Sequence, residues 1–433
     1  MSKQRLQANE QGHLVLGGVD ATRLAQEYGT PLVVYDVAAI RRQIQEFRAA
    51  FTRSGLRYQI SYASKAFATV AMYQVIDEEG LHADVVSGGE LYTALQAGFP
   101  VRDLSFHGNN KSLAELEMAV ENHVGVIVLD NFHEIELLKR VLVDRNASCD
   151  VMLRVTPGIT AHTHRYTQTG QVDSKFGFDV DSGQATRALQ KVLAIPQMNV
   201  IGLHAHIGSQ IFDVTGFDLL VKKLMTISAQ WRDRLGFTPR ILNLGGGFGI
   251  AYTATDDPLT PADFIQPIAA RLRQLADRYQ LPLPEVWIEP GRAIVGPAGY
   301  NLYTVGSRKD IPDLTTYLSV DGGMGDNIRP ALYQAKYAAV LANKMNEPTH
   351  ETVHLTGKYC ESGDILIDQL ALSRNEPGDL IAVLDTGAYG YSMASNYNRN
   401  PRPAVVFVED GQAKVVVRRE TYADLVRLDV RYE

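Results

Sequence analysis

The sequence predicts an α/β chain of two domains, a (β/α)8 TIM-type barrel joined to a second, β-rich domain. Three observations predict it. The 433 residues exceed what one core ordinarily organises. From residue 58 to about 290, short apolar runs alternate with stretches of helical periodicity. After Tyr300 those stretches stop, and apolar runs follow one another with turn residues between them.

Taken in order, the barrel strands are expected at residues 58–63, 82–86, 104–106, 125–129, 150–155, 199–205, 241–244 and 286–289. Between them, Leu113, Leu116, Ala119 and Val120, then Ile135, Leu138 and Leu142, recur at helical spacing. A doubly wound open sheet satisfies the same alternation, because strand order is not written in the sequence. The later strands are expected at 317–320, 352–355, 365–367, 380–384, 404–408 and 414–417, with Asp410-Gly411 as a hairpin turn between the last two. Segments 14–16 and 31–35 are candidates to pair with these. The resulting division is a barrel over 37–295 and a discontinuous β-rich domain of 1–36 plus 296–433.

Composition excludes several classes of function. The net charge is −7 and the basic residues are scattered, so no face is built for nucleic acid. No apolar run is long enough to span a bilayer. Two cysteines, Cys149 and Cys360, make a disulfide framework implausible and fit a reducing cytoplasm. The polar stretch from Met1 to Leu14 has no apolar core of a signal peptide.

A barrel builds its site from the C-terminal ends of its strands. The polar residues fall there: Lys65 after the first strand, Asp84 and Ser87 at the second, His107 after the third, Arg154 near the end of the fifth, His206 after the sixth, Gly245 to Gly249 after the seventh, Glu289 and Arg292 at the eighth. Alone, Lys65 reads as a solvated surface residue; at a barrel mouth, desolvation and neighbouring cations suit its amine to a Schiff base. Leu244-Gly-Gly-Gly-Phe-Gly249 reads either as a tight turn or as a phosphate cradle. It has neither Walker A nor dinucleotide spacing, but phosphate sites of barrels form after strands seven and eight. In Glu289-Pro-Gly-Arg292 the carboxylate could keep a pyridine nitrogen protonated and Arg292 could hold an anion; a buried Glu–Arg ion pair is the plainer alternative. His204-Ala-His206 places two imidazoles at period two. A zinc pair lacks an evident third ligand, so no metal is expected; one flat ring stacked on an aromatic cofactor and one hydrogen-bonded core histidine fit better. Arg329, in Asn327-Ile-Arg-Pro-Ala-Leu-Tyr333, could clamp a carboxylate, although an arginine in an aperiodic segment reads first as a solvated charge. Cys360 reads first as a small buried hydrophobe, with proton donation to a carbanion as the functional alternative.

Together these motifs resemble the fold-type III pyridoxal-phosphate-dependent decarboxylases, and within them the diaminopimelate branch. The resemblance runs from about Pro31 to Asp429. Tyr62-Ala-Ser-Lys-Ala66, His206-Ile-Gly-Ser-Gln210, Gly245-Gly-Gly-Phe-Gly249 and Glu289-Pro-Gly-Arg292 carry the family. Ala161-His-Thr-His164, Thr169-Gly170, Ser174-Lys-Phe-Gly177, Asn327-Ile-Arg-Pro-Ala-Leu-Tyr333 and Cys360-Glu-Ser-Gly363 complete the match, with the run from Ala161 to Gly177 and the Cys-Glu-Ser-Gly stretch pointing to the branch. Phe67, where many relatives have Asn, and Ala205, where Cys is frequent, depart from the pattern without touching a residue given a chemical role.

The resemblance implies pyridoxal 5'-phosphate, a homodimer with shared sites, and decarboxylation of meso-2,6-diaminopimelate to L-lysine and CO2. It implies that Lys65 holds the cofactor, His206 stacks on its ring and Glu289 faces the pyridine nitrogen. Ser209, Gly246, Gly247, Gly291 and Arg292 would line the phosphate side. Arg292, Arg329 and Tyr333 would hold the substrate's distal carboxylate, Glu361 its distal ammonium, and Tyr389 both cofactor and substrate. Cys360 would be the proton donor and, with Glu361, would come from the other subunit. The alternatives are a decarboxylase of another basic amino acid, a racemase on the same barrel, or a catalytically silent binding protein.

Overall fold

The computed structural model describes residues 6–159 and 174–433. The motif residues Ala161 to His164, Thr169 and Gly170 lie outside them. The chain separates into two compact units. One comprises Gln43–Gly249 and Asp257–Ala293; the other comprises the chain up to Arg42, Ile250–Asp256 and Ile294–Glu433.

The first unit is a closed parallel barrel. Its strands are β1 (Tyr58–Ala63), β2 (His82–Val85), β3 (Leu104–Phe106), β4 (Val126–Leu129), β5 (Cys149–Thr156), β6 (Met198–His204), β7 (Ile241–Asn243) and β8 (Glu285–Ile288). Each pairs in parallel with the next. The ring closes where Ile288 of β8 registers with Ile60 of β1. Closure removes the doubly wound alternative. Val126 and Val128 of β4, Met152 of β5, Ile201 of β6 and Trp287 of β8 pack as one cluster. Strands β4 and β8 stand on opposite sides of the ring, so their side chains meet only inside it, as a filled core.

The helices begin where short polar side chains can satisfy their first N–H groups. Ser112 closes a capping box with Glu115 at helix Leu113–Glu121, Asn131 caps Phe132–Asp144, and Thr260 with Asp263 caps Pro261–Tyr279. Ser87, placed by the sequence among the strand-end candidates, accepts a hydrogen bond from Glu90 N and starts helix Gly88–Gln96.

In the second unit a seven-strand path runs Ile365–Leu372, Glu351–Thr356, Thr315–Val320, Gly299–Ile311, Leu32–Asp36, Ala404–Glu409, Gln412–Val417. Segment 31–35 pairs into this sheet as expected: Leu32–Asp36 lies antiparallel to Gly299–Ile311 and parallel to Ala404–Glu409. Leu14–Leu16 does not. Gly17 and Gly18, at φ 53° and 83°, turn it back onto Val19–Asp20 in a separate three-stranded sheet. Its leucines nonetheless join Leu32, Val34, Leu302 and Val406 in the core. The sequence pattern did not mark Gly299–Ile311, the strand joining both halves of the sheet. Its first five residues are buried between two neighbouring strands, whereas Gly306 to Asp310 are exposed and polar, so no single period runs along it.

Candidate active site

Polar groups gather at the C-terminal rim of the barrel because each follows or ends a strand whose preceding residues are held in the ring. Glu289, 7 % exposed, follows β8 and is the centre of this group. Asn243, the last residue of β7, donates from Nδ2 to Glu289 Oε1 at 2.7 Å. His204, the last residue of β6, donates from Nε2 to Oε2 at 3.2 Å. His107 Nε2 stands 3.4 Å from Oε1 without hydrogen-bond geometry, and its ring meets His204 edge to face at 4.9 Å. Burial alone would raise the Glu289 carboxyl, but the imidazoles of His204 and His107 and the His204 hydrogen bond bring it well below the usual carboxylate range. Asp84, near the end of β2, goes the other way. Burial and the negative charge of Glu289 push it well above that range, while the Lys65 amine pulls it down. One of two nearby buried carboxyls is thus kept anionic and the other neutral.

Lys65 sits in the turn Ser64–Ala66 just past β1 and is exposed. Asp84 Oδ1 accepts from Ser64 N at 2.9 Å and ties this turn to β2. Gly291 presses on the same turn. A Cβ there would meet the Ala63 side chain at 2.8 Å, so only glycine lets the segment following β8 approach. The amine and the anionic carboxylate therefore rise from the adjacent ends of β1 and β8.

Strand β6 ends at His204, so the period-two relation to His206 breaks there. His204 groups with His107 and Glu289, three donors within 4.8 Å of one another, instead of with His206. His206 accepts from Gly246 N at Nδ1, 3.2 Å away. Burial, then the charges of Lys65 and Arg154, lower its pKa well below the usual imidazole range, so the ring is neutral. The glycine loop is packed against its surroundings. Gly245 N donates to Asn243 Oδ1 at 2.9 Å, and Gly247, at φ 104°, could not carry a Cβ, which would lie 2.4 Å from Gly208 O. Arg292 is buried and donates from Nη2 to Ser209 Oγ at 3.0 Å. Ser209 and Arg292, both assigned to the phosphate side by the resemblance, are thus adjacent in space. Arg154, on β5, lies over the Phe176 ring at 4.3 Å and 3.9 Å from Asp130.

The β-rich unit holds a second polar group of the opposite sign. Arg329 and Tyr333 occupy one short helix, four residues apart and so on one face. Contrary to the solvated charge read from sequence, Arg329 is 7 % exposed. Its Nη1 donates to Tyr252 Oη at 2.9 Å and to Tyr337 Oη at 2.7 Å. Just before this helix, Asp326 accepts from Tyr303 Oη at 2.6 Å; Tyr303 accepts from Asn301 Nδ2, whose Oδ1 accepts from Thr386 Oγ1. Asp364 accepts from the backbone N–H groups of Met324 and Tyr359. The segments carrying Arg329, Cys360 and Tyr389 are joined by this buried network. Cys360 is exposed and free, not a buried hydrophobe, and Glu361 beside it is exposed. Tyr389 holds φ 59°, a left-handed conformation unusual for a tyrosine.

Asn243, His107 and His204 around Glu289, and Tyr252 and Tyr337 around Arg329, were not given these roles from sequence. Asn243 offered a faint signal, a polar residue closing an apolar strand. The two tyrosines offered none.

An exposed amine and a buried anionic acid at neighbouring strand tips, with a neutral imidazole and a serine–arginine pair on the same rim, form a donor set suited to an aldehyde-bearing pyridine with a phosphate arm. The comparisons agree. Residues 37–296 match the pyridoxal-binding domain of the pyridoxal-dependent decarboxylases, and the chain belongs to that family. It is 56 % identical over 425 residues to the diaminopimelate decarboxylase of Bacillus subtilis, covering 98 % of this chain and 97 % of that one. Against the Bacillus methanolicus diaminopimelate decarboxylase the identity is 57 % over 412 residues, 95 % of each. A crystal structure of the diaminopimelate decarboxylase of M. jannaschii in complex with L-lysine superposes with a TM-score of 0.93 at 34 % identity, covering 98 % of both chains.

Proposed function

We propose that this chain converts meso-2,6-diaminopimelate to L-lysine and CO2 as a pyridoxal-phosphate enzyme. The observation that carries the chemistry is the buried Glu289 carboxylate, held by Asn243 and His204 just past β8, the strand that pairs with β1 and its Lys65 turn. The substrate rests on the near-full-length identity to diaminopimelate decarboxylases.

Lys65 would hold the cofactor through its amine, with the neutral His206 against the ring. Glu289 would face the pyridine nitrogen. Ser209, Gly246, Gly247 and Arg292 would line the phosphate side, with Gly291 also at the cofactor. Pyridoxal phosphate, when bound, supplies a sink for the electron pair left on carbon when CO2 departs. Glu289 keeps that sink effective, because an anion beside the nitrogen favours its protonated form. A proton then takes the place of CO2 on the carbon. Cys360 supplies it, and its exposed thiol can recover a proton from water. Arg292, Arg329 and Tyr333 take the distal carboxylate and Glu361 the distal ammonium, while Tyr389 contacts cofactor and substrate. Arg329 supports this reading because it is a buried cation with two hydroxyl acceptors and no acidic side chain paired with it among the described residues. A substrate lacking the distal carboxylate leaves that charge unmatched.

We further propose a homodimer in which the other copy supplies Cys360 and Glu361 to each site, working in a reducing cytoplasm. Among the described residues no helix is long and apolar enough to cross a membrane. Product analysis tests the activity: L-lysine and CO2 should form from diaminopimelate with added cofactor, and Lys65→Ala should lose both turnover and the absorbance of the lysine-bound cofactor. No lysine formation would overturn the assignment. Mixing inactive Lys65→Ala and Cys360→Ala proteins should restore about a quarter of native activity if sites are shared. No recovery in demonstrably mixed dimers would place both residues in sites of one subunit.

A further inference from the structure

The surroundings of Arg329 carry a specificity device. Both Nη1 hydrogen bonds go to phenolic oxygens, from Tyr252 in the segment Ile250–Asp256 and from Tyr337 past the Arg329 helix. The guanidinium carbon also lies 5.2 Å from the Tyr252 ring centre and 5.8 Å from that of Tyr337. The two rings meet edge to face at 5.2 Å and 82°, and both are buried. The cation is thus cornered by two walls and pinned at one nitrogen. Its hydrogen bonds among the described residues are both made from Nη1, so Nε and Nη2 stay available.

The chemistry of the corner explains the choice of tyrosine. A carboxylate in either place would orient Arg329 equally well but would neutralise it, and an incoming anion would then have to compete. A phenol hydroxyl accepts a hydrogen bond from the cation while leaving its charge unmatched. The ring faces add attraction for a cation without adding an anion. Fixing the planar fork in advance also removes rotamer entropy that binding would otherwise lose.

Resting on the reading that Arg329 receives the distal carboxylate, we propose that Tyr252 and Tyr337 are positioning residues that present the free edge of Arg329 to that carboxylate, and so set selectivity for substrates bearing one. Decarboxylation removes the carboxylate at the reacting end, so the product L-lysine still carries the distal one. Cadaverine has the same two amines and five-carbon chain without it. The pair therefore isolates the carboxylate contact.

The experiment measures inhibition of diaminopimelate turnover by L-lysine and by cadaverine, in holoenzyme, for the native protein, Tyr252→Phe, Tyr337→Phe and the double variant. Phenylalanine keeps the ring walls and removes only the hydroxyl acceptors. The double variant should bind L-lysine on the order of ten- to a hundredfold more weakly, as expected for hydrogen bonds to a charged group. The KM for diaminopimelate should rise in parallel, kcat should hold, and cadaverine inhibition and cofactor absorbance should stay as they are. Unchanged or tighter L-lysine binding overturns the proposal, and so does an equal weakening of L-lysine and cadaverine, which marks general loosening. If the native protein itself binds L-lysine no better than cadaverine, the distal-carboxylate reading fails, and this proposal with it.

Discussion

Glu289 in one unit and Arg329 in the other are both buried, and the two charges are treated in opposite ways. Glu289, at the barrel rim, is surrounded by N–H groups: an amide at 2.7 Å and an imidazole at 3.2 Å, with a second imidazole nitrogen at 3.4 Å. Arg329, in the β-rich unit, receives only two hydroxyl oxygens among the described residues. Glu289 is thus met by N–H donors, while Arg329 meets hydroxyls and ring faces and no carboxylate among those residues. On the proposed assignment, the difference separates a charge that tunes a cofactor, which must stay put throughout turnover, from a charge that recognises a ligand, which must be unmatched until the ligand arrives.

The most severe test removes the anion while keeping its shape. Glu289→Gln should lower kcat on the order of 10²–10³-fold, as losing a preorganised electrostatic group does, with little change in KM. Steady-state kinetics decides it, and a kcat near native would sever Glu289 from the chemistry. The matching test removes the cation. Arg329→Met should cut kcat/KM for diaminopimelate by about 10²-fold, mostly through KM, with cofactor still bound. Its melting temperature should fall, because the hydrogen bonds to Tyr252 and Tyr337 and the contacts with both rings are lost. An unchanged kcat/KM would remove Arg329 from substrate recognition, and the contrast with Glu289 would disappear.

A subtler test addresses the support beneath Arg329. Burial pushes the Asp326 carboxyl up to about 7, with the Tyr303 hydrogen bond and the Gly323 N–H pulling it back. Its ordinary value is about 3.9. Below that, it is protonated in both folded and unfolded chains. Between about 4 and 7 the unfolded chain ionises first, so the stability contributed by the neutral carboxyl is lost as pH rises. Asp326→Asn should flatten this slope by about 4 kcal/mol across that window, read from denaturant unfolding at several pH values. Parallel curves for variant and native protein would refute a neutral Asp326. The smallest effect is expected at Asn243, which donates to Glu289 and accepts from Gly245 N. Asn243→Ala should cost about 1–3 kcal/mol of stability through the bonds left unmade, with a smaller fall in kcat than Glu289→Gln.

Much of the barrel was legible. Every expected barrel strand lies within one residue of its observed bounds, as with 104–106 and 58–63, because buried parallel strands are short, apolar and punctuated by turns. The β-rich unit was less so. Strand Gly299–Ile311 changes from buried to exposed along its length, and Leu14–Leu16 is apolar for packing without pairing into the large sheet. At the site, Glu289, Lys65 and Arg292 could be anticipated from where they follow strands, and Ser209 only from the family resemblance. The burial of Arg329 and the exposure of Cys360 could not, since neither sits in a periodic segment from which a face can be read.

By itself, the order of residues determined the alternation of strand and helix, the caps that start the helices, and which polar side chains end up at strand tips. These are local matters, settled by hydrogen bonds and periodicities that span a few positions. Only the tertiary structure decided that the sheet closes, that His204 joins His107 instead of His206, and that Tyr252 and Tyr337, 85 residues apart in the chain, corner one arginine. Closure and the company of a buried charge depend on which distant segments share a space, and sequence spacing holds no measure of that distance.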